Sequence, residues 1–445
     1  MATQCLTADV TAWIKRLARP LDPRVSWRLL PLFTGVLFAT GRRTVSSWLR
    51  AGNLSKDYQD YYYFLSALGR KVNSLGAVVL HIAVKHIVPE GRILLALDDT
   101  PSKRYGPKVE GAGIHHNPTP GPAGAKFLYG HVWVTLAWVV RHPLWGAIGL
   151  PLLARMYVRR QDIDRQLLPF LRKVTFRTKL EMAGELVTWA AGWLKFLGGT
   201  LWVVADGAYA KIRFLRAAAA AGVVVVSRLR KDAALRDVPV PPKRRGRGRP
   251  RTYGKNAISL AKRAGQRRGW RVGQFLLYGL ELTIRYKTFL ATYKPAGGLI
   301  RVVLVKEDDG DWRAYFCTHV DATVAEILEA VADRSALEQV FHDVKEVHGV
   351  GQAQTRNYWS NVAAYHLNLW LHTFIELWAW HRPSEQLVDR HLSPWDDPDR
   401  RPSHADKRNA LRRQWLEEEY QAGAALGAVP RKIRSLWCRV VRLVA

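Results

Sequence analysis

Apolar residues over the first ninety positions recur at helical spacing. Leu29, Leu30, Phe33, Val36 and Leu37 fall on one stripe. The stretch 41–72, GRRTVSSWLRAGNLSKDYQDYYYFLSALGRKV, predicts two short helices broken at Gly52, with Arg42, Arg43, Arg50 and Lys56 on the outside. Such a pair suits a helix-turn-helix reaching into a groove. It suits a plain helical bundle with a basic rim equally well. At residue 91 the period changes. GRILLALDD (91–99) is a nearly continuous apolar run, the pattern of a strand covered on both faces. A Gly/Pro-rich stretch, VEGAGIHHNPTPGPAGAKF, predicts a loop. Strands are expected at 131–140 and 144–153, a helix around 176–197, a strand at 201–207, an Ala-rich helix at 209–221 and a strand at 222–229.

Segment 230–318 has a different character. Its loop PVPPKRRGRGRPRTYGK (239–255) holds no apolar side chain of size before Tyr253 except Val240, and the remainder is β-rich and hairpin-like. It reads as an insertion interrupting an α/β domain. Helical periodicity returns over 322–347, a second long helix covers 359–380, and one more spans roughly 404–420 before a basic tail. The fold class is therefore α/β: a mixed sheet flanked by helices, interrupted by a β-rich insertion, with helical N- and C-terminal regions. The boundaries fall at 1–90, 91–229, 230–318, 319–382 and 383–445.

The chain has 445 residues, 48% apolar and 24% charged, so a packed core is within reach and a disordered polyelectrolyte is excluded. The charge is unusual: 68 Lys and Arg against 37 Asp and Glu leave +31. Such an excess points to a polyanionic partner, nucleic acid first, and makes the helical region 1–90 a candidate DNA-binding region. Cys5, Cys317 and Cys438 form no CxxC pair, which argues against a disulfide framework or a cysteine zinc finger and fits a reducing, cytoplasmic setting. The opening MATQCLTADVTAWIKRL has no secretory pattern. The longest apolar runs are broken by Arg141 and His142, or by Lys195, so no membrane span is expected.

Acidic residues are scarce, which makes their positions informative. Asp98 and Asp99 end the first expected strand, Asp206 ends the fourth, and Glu338 lies on the helix after the insertion. Parallel strands present their ends to one crevice. Three carboxylates brought there match the needs of two divalent cations in phosphodiester chemistry. Taken singly, Asp206 could be a turn cap and Glu338 a solvated helix charge. On the Glu338 helix, Arg334, Phe341, His342 and Lys345 share its face. Cations flanking a metal-binding carboxylate would hold phosphates, although a plain surface pair of Arg334 with Glu338 would use the same spacing.

These residues resemble the DDE transposases of cut-and-paste insertion sequences, the superfamily with a Tyr-Arg-Glu-Lys signature. Arg334, Glu338 and Lys345 fall in its register, with Val331 at the Tyr position. Asp98-Asp99-Thr100 and Val204-Ala205-Asp206 match its two strand ends, and the insertion with its KRRGRGRPR loop matches as well. The likeness spans residues 91–380. It implies an RNase H-like core and catalytic, metal-binding Asp99, Asp206 and Glu338, with Asp99 favoured over Asp98 because it precedes Thr100. It implies Mg²⁺, with Mn²⁺ as substitute, and a homodimer acting on the terminal inverted repeats of double-stranded DNA and on target DNA. Arg334 and Lys345 would bind phosphate, as would Lys243, Arg244, Arg245, Arg247, Arg249 and Arg251 of the loop. Trp312 is a candidate for stacking on a flipped base, with core packing as the alternative. A bacterial, nucleoid-associated setting follows from the same likeness.

His115, His116 and His131 could with Asp99 suggest a metal hydrolase site but match no zinc spacing, and read as solvated loop histidines. His342 could touch DNA or pack. The rival functions are an RNase H-like nuclease or resolvase without strand transfer, and a non-catalytic DNA-binding regulator derived from a transposase.

Overall fold

The computed structural model describes residues 7–54, 58–89, 91–117, 124–164, 174–240, 251–307, 310–390 and 395–424. Its N-terminal part is helical: α1 (Ala8–Leu17), α2 (Pro23–Ser26), α3 (Leu29–Phe38), α4 (Val45–Ala51), α5 (Tyr58–Gly69) and α6 (Val72–His86). Local chemistry starts two of them. The Asp22 carboxylate accepts from the Arg24 amide ahead of α2, and the Thr44 hydroxyl accepts from the Ser47 amide at α4. Of the expected stripe, Leu29, Phe33, Val36 and Leu37 are buried.

The sheet begins with β1 (Ile93–Lys103), β2 (Gly113–His116), β3 (Phe127–His142) and β4 (Gly146–Tyr157). β2 lies within the stretch expected to be a loop. Gly and Pro signal a turn there, but Gly113–His116 alternates buried and exposed and pairs with the start of β3. After α7 (Arg160–Asp164) and α8 (Lys179–Leu194) come β5 (Leu201–Ala205), α9 (Ile212–Ala220) and β6 (Val224–Leu229). β3 is antiparallel to β1 and β4, whereas β5 runs parallel to both β1 and β6. Parallel neighbours need a crossover, which α9 supplies between β5 and β6. Ile93 to Leu97 are all buried, as the apolar run requires.

The strands of 230–318 join this same sheet. After β7 (Leu235–Arg236), β8 (Ala257–Ile258) and α10 (Leu260–Gly265) come β9 (Arg271–Leu277), β10 (Leu280–Tyr293), β11 (Gly298–Lys306) and β12 (Trp312–Cys317). β12 pairs with β6, so the described residues form one twelve-stranded sheet.

Where one helix was expected over 322–347, there are two: α11 (Val324–Asp333) and α12 (Ser335–Glu346), meeting at Arg334. The Ser335 hydroxyl donates to the Ala332 carbonyl at 2.7 Å, and the Leu337 amide donates to the Arg334 carbonyl at 2.9 Å. These short-range bonds replace the regular i−4 ladder and turn the chain. α12 then packs close against the sheet at Gly149 of β4. A Cβ there would stand 2.9 Å from the Ala336 carbonyl oxygen and 2.8 Å from a Val340 methyl.

α13 (Tyr358–Ala379) is buried along nearly its whole length, with α5, α6, β4 and α15 (His404–Ala424) packed around it; α14 (Ser384–Leu387) precedes α15. Its polar side chains answer the bulge where β4 slips register against Leu136 and Ala137. Trp370 Nε1 donates to the Leu152 carbonyl, Thr373 Oγ1 donates to the Pro151 carbonyl (both 2.8 Å), and the Ala154 amide donates to His366 Nε2 at 3.0 Å. Backbone groups freed by the bulge are thereby paired. Among the described residues no helix is long and apolar enough to cross a membrane. α15 turns basic residues inward: Arg408 donates to the Leu37 and Ala39 carbonyls, and Arg412 to that of Phe38, at the end of α3.

Candidate active site

The parallel register of β1 and β5 decides which strand-end carboxylates meet. Leu97 opposite Ala205 is the last pair, and the next residues along the two chains are Asp98 and Asp206. Paired positions on neighbouring strands share a face, and successive positions alternate. Asp98 and Thr100 accordingly face α12. Arg334 Nη1 donates to Asp98 Oδ2 at 2.7 Å, and its Nη2 lies 2.6 Å from Glu338 Oε1. Lys345 Nζ donates to Thr100 Oγ1 at 2.6 Å. Arg334 and Lys345 thus dock on the end of β1, and Arg334 holds Glu338 beside it.

Asp99, the residue favoured by its place before Thr100, points the other way. Lys179 Nζ of α8 donates to its Oδ2 at 2.6 Å and Tyr209 OH to its Oδ1 at 2.8 Å. The structure therefore joins Asp98, not Asp99, to Arg334 and Glu338. Sequence alternation could not show this, because the run before it is apolar at every position.

Asp206 follows β5 and is exposed. Its Oδ2 accepts from the Ala208 amide at 3.2 Å, capping a short turn, and its carbonyl accepts from Ser227 Oγ at 3.1 Å. The cap expected as the bland role of Asp206 is present alongside its position next to Asp98. Burial pushes the Asp98 carboxyl up to about 6. The Arg334 charge and the Asp99 amide work against that rise, and the charges of Asp99 and Asp206 add to it. A carboxyl held this way, beside two more, is a group that gains from a nearby cation. Burial lowers the pKa of the Lys345 ammonium. Tyr209, buried next to these acids, has its phenol raised well above the ordinary range, by burial first and then by Asp99.

A further residue comes from the insertion. Tyr278 and Gly279 form the two-residue turn between β9 and β10, with φ of 57° and 80°. Positive φ at both positions is the turn that matches strand twist, but it is costly for Tyr. The exposed Tyr278 ring is close enough to Arg334 and Glu338 for their charges to act on its hydroxyl, which burial raises. Nothing in the sequence marked it, apart from a bulky residue before a glycine. Trp312 begins β12, and its ring lies under Lys231 Nζ at 5.3 Å.

Of the basic loop, Arg251 is exposed, while Lys243, Arg244, Arg245, Arg247 and Arg249 lie outside the described residues. The solvated position expected for the three histidines holds only for His116: His131 and His115 are buried because β3 and β2 carry them into the sheet, with His131 Nε2 3.0 Å from the Glu110 carbonyl. His342 is exposed, with Nδ1 3.3 Å from Asp343 Oδ1. In the N-terminal region, the Arg43 amide donates to Gln352 Oε1 at 2.8 Å, and the Val45 amide to the Ala353 carbonyl at 3.1 Å. These bonds tie α4 to the segment between α12 and α13.

Two family models match the chain. The DDE superfamily endonuclease model covers residues 22–274, and the transposase DDE domain model covers residues 182–374. No curated protein matches it. Among solved structures it is similar to a piggyBac transposase in a synaptic complex with hairpin DNA, with a TM-score of 0.42 and 9% identity, over 93% of this chain and 75% of that one. The first match spans more than half of the chain: it belongs to the DDE superfamily endonucleases, and the resemblance to DDE transposases read from its residues is borne out.

Proposed function

We propose that this DDE superfamily endonuclease is a transposase: it cuts double-stranded DNA at the terminal inverted repeats of its element and joins the freed 3′-hydroxyls to target DNA. The observation that carries this reading is that Asp98 and Asp206 directly follow the last register pair of two adjacent parallel strands, Leu97 and Ala205, with Glu338 joined to Asp98 through Arg334. The order β4-β3-β1-β5-β6, three antiparallel strands followed by two parallel ones, supports an RNase H-like core.

The donor set fits divalent cations. Three carboxylates gather here, one of them raised by burial and by its acidic neighbours, and Arg334 already supplies positive charge between two of them. We assign Asp98, Asp206 and Glu338 as the residues that would hold Mg²⁺, or Mn²⁺ in its stead. When bound, such ions activate a water or hydroxyl and stabilise the leaving oxygen of a phosphodiester. Arg334 holds Asp98 and Glu338 together against their repulsion, and its spare N–H donors can take a phosphate oxygen. Lys345, fixed by Thr100, offers its other two donors to a neighbouring phosphate. Lys179 and Tyr209 keep Asp99 on the opposite face, where it orients the end of β1. Tyr278, exposed on the β9–β10 turn and within electrostatic reach of Arg334 and Glu338, offers an aromatic face for an unstacked base, a role for which the sequence made Trp312 a candidate. The loop with Lys243, Arg244, Arg245, Arg247, Arg249 and Arg251 tracks the DNA backbone, two copies of the chain act on paired ends, and the setting is bacterial cytoplasm, at the nucleoid when DNA is bound.

The test uses purified full-length chain, Mg²⁺ and DNA carrying the sequences that flank its coding region. Transposition requires 3′-hydroxyl ends at the inverted repeats and their covalent joining to a target plasmid. Cleavage without joining would leave a nuclease or resolvase. Binding without any cleavage would overturn the enzymatic reading.

A further inference from the structure

Five residues beyond Glu338 on α12, Asp343 is turned inward and is only 6% exposed. Its Oδ1 accepts from Gln339 Nε2 at 2.8 Å, and its Oδ2 lies 3.6 Å from His372 Nε2 of α13. Among the described residues its ion-pair partners are the imidazoles of His342 and His372. The His372 ring stacks on His404 of α15, centroids 4.0 Å apart. His404 Nδ1 is engaged by Glu376 Oε1 at 2.6 Å, and the other Glu376 oxygen accepts from Lys407 Nζ at 2.6 Å. That leaves Nε2 as the His404 donor atom. Ligand atoms of Asp343, His372 and His404 all lie within 4.8 Å of one another, and all three residues are buried.

Hydrogen bonding alone leaves this cluster incomplete. The separation of 3.6 Å between Asp343 and His372 exceeds a hydrogen bond. It is close to the edge of a tetrahedron around a metal with bonds of about 2.0–2.2 Å, which is roughly 3.4 Å. Among the described residues, His372 Nδ1 and His348 Nδ1 are buried without a hydrogen-bond partner, and His348 itself is 1% exposed. The Glu376 carboxylate behind His404 is the outer partner that orients a metal-binding imidazole. Lys407 already balances Glu376, so the cluster is left with one buried carboxylate among imidazoles, and a buried charge of that kind calls for a cation.

We propose that Asp343, His372 and His404 form a structural site for a divalent transition metal of the zinc class, separate from the carboxylates at the strand ends. His348 Nε2, 2.8 Å from His404 Nε2, is the nearest candidate for a fourth ligand. Without metal these two nitrogens share a proton; with metal that proton is displaced. The site ties α12 to α13 and α15, and so holds the helix that carries Arg334, Glu338 and Lys345.

Metal content of the full chain, purified without chelator and then washed with enough EDTA to strip weakly held Mg²⁺, tests this directly. About one zinc-class ion per chain should remain. It should be lost in His372→Ala and His404→Ala, and kept in Asp98→Asn and Glu338→Gln. Zn²⁺ added back to fully stripped protein should raise its unfolding temperature. Should the histidine variants not fold, Co²⁺ substitution into the parental chain decides, because a tetrahedral nitrogen–oxygen site gives intense visible absorption. Absence of a retained ion together with no Zn²⁺-dependent stabilisation would overturn the site, as would a weak, octahedral Co²⁺ spectrum. Loss of the ion in Asp98→Asn would also overturn it, by moving the ion to the strand ends.

Discussion

Replacing Asp98 with Asn should abolish strand cleavage and, in the same protein, make the metal-free chain more stable at neutral pH. The Asp98 carboxyl is raised from 3.8 to about 6. Keeping it ionised in the fold therefore costs about 3 kcal/mol at pH 7 and above, at ~1.36 kcal/mol per pH unit. The sign follows from proton counting. Between pH 3.8 and about 6 the folded chain binds a proton that the unfolded chain has released, so stability falls as pH rises through that window and is flat above it. Asn carries no charge and stays neutral throughout. The expected gain at pH 8 is about 1–3 kcal/mol, the lower figure allowing for the weaker bond Arg334 then makes. Cleavage should fall by at least about a thousandfold, since a ligand worth several kcal/mol is gone. Asp99→Asn should behave in the opposite way. It loses an ion pair with Lys179, whose side chain is 38% exposed, so the fold weakens by about 1 kcal/mol or less. Tyr209 keeps an acceptor, and cleavage persists. Denaturant unfolding in EDTA at pH 5 and pH 8, beside a Mg²⁺-dependent cleavage assay, reads both effects. Destabilisation by Asp98→Asn at pH 8, or a dead Asp99→Asn beside an active Asp98→Asn, would refute the geometry.

Gly149→Val should slow cleavage in a folded protein. Its side chain would press α12 off the sheet at Ala336 and Val340, at a cost of about 1–3 kcal/mol by denaturant unfolding, and an unchanged rate would mean that the placement of α12 does not limit catalysis. Lys407→Met strands the buried Glu376 carboxylate and should cost about 3–5 kcal/mol, much of it recovered by adding Glu376→Gln, since only the unpaired charge is expensive. Ala in place of all six loop residues Lys243, Arg244, Arg245, Arg247, Arg249 and Arg251 should flatten the plot of log affinity against log salt by about 0.9 per lost phosphate contact, with fold stability unchanged. Tyr278→Ala should reduce the fluorescence response of a 2-aminopurine at the cleaved end more than Trp312→Ala does; the reverse order would return the stacking role to Trp312.

Much of this architecture is local and could be read along the chain. The change from helical to strand periodicity at residue 91, the apolar run Ile93–Leu97, the turn after Val204-Ala205 and the helical spacing of Arg334, Glu338 and Lys345 are each patterns of residues close together in sequence. That was enough for the α/β class, the order of the core elements and the Arg-Glu-Lys side of the proposed site. The choice between Asp98 and Asp99 was not legible, because a strand covered on both faces has no alternation to show which way a side chain points. The assignment of Asp98 proposed here rests on register with β5, a pairing between residues about a hundred positions apart. The break at Arg334 depends on one serine hydroxyl finding the carbonyl three residues back, against a periodicity that runs on through it. The joining of the insertion to the core sheet depends on β12 meeting β6, and strand patterning carries no record of which edge a strand will find. Asp343, His372 and His404 are scattered over sixty residues with no ligand spacing, and Tyr278 is one aromatic among many. Their neighbours come from packing helices and a hairpin against a common sheet, and only tertiary structure sets those contacts.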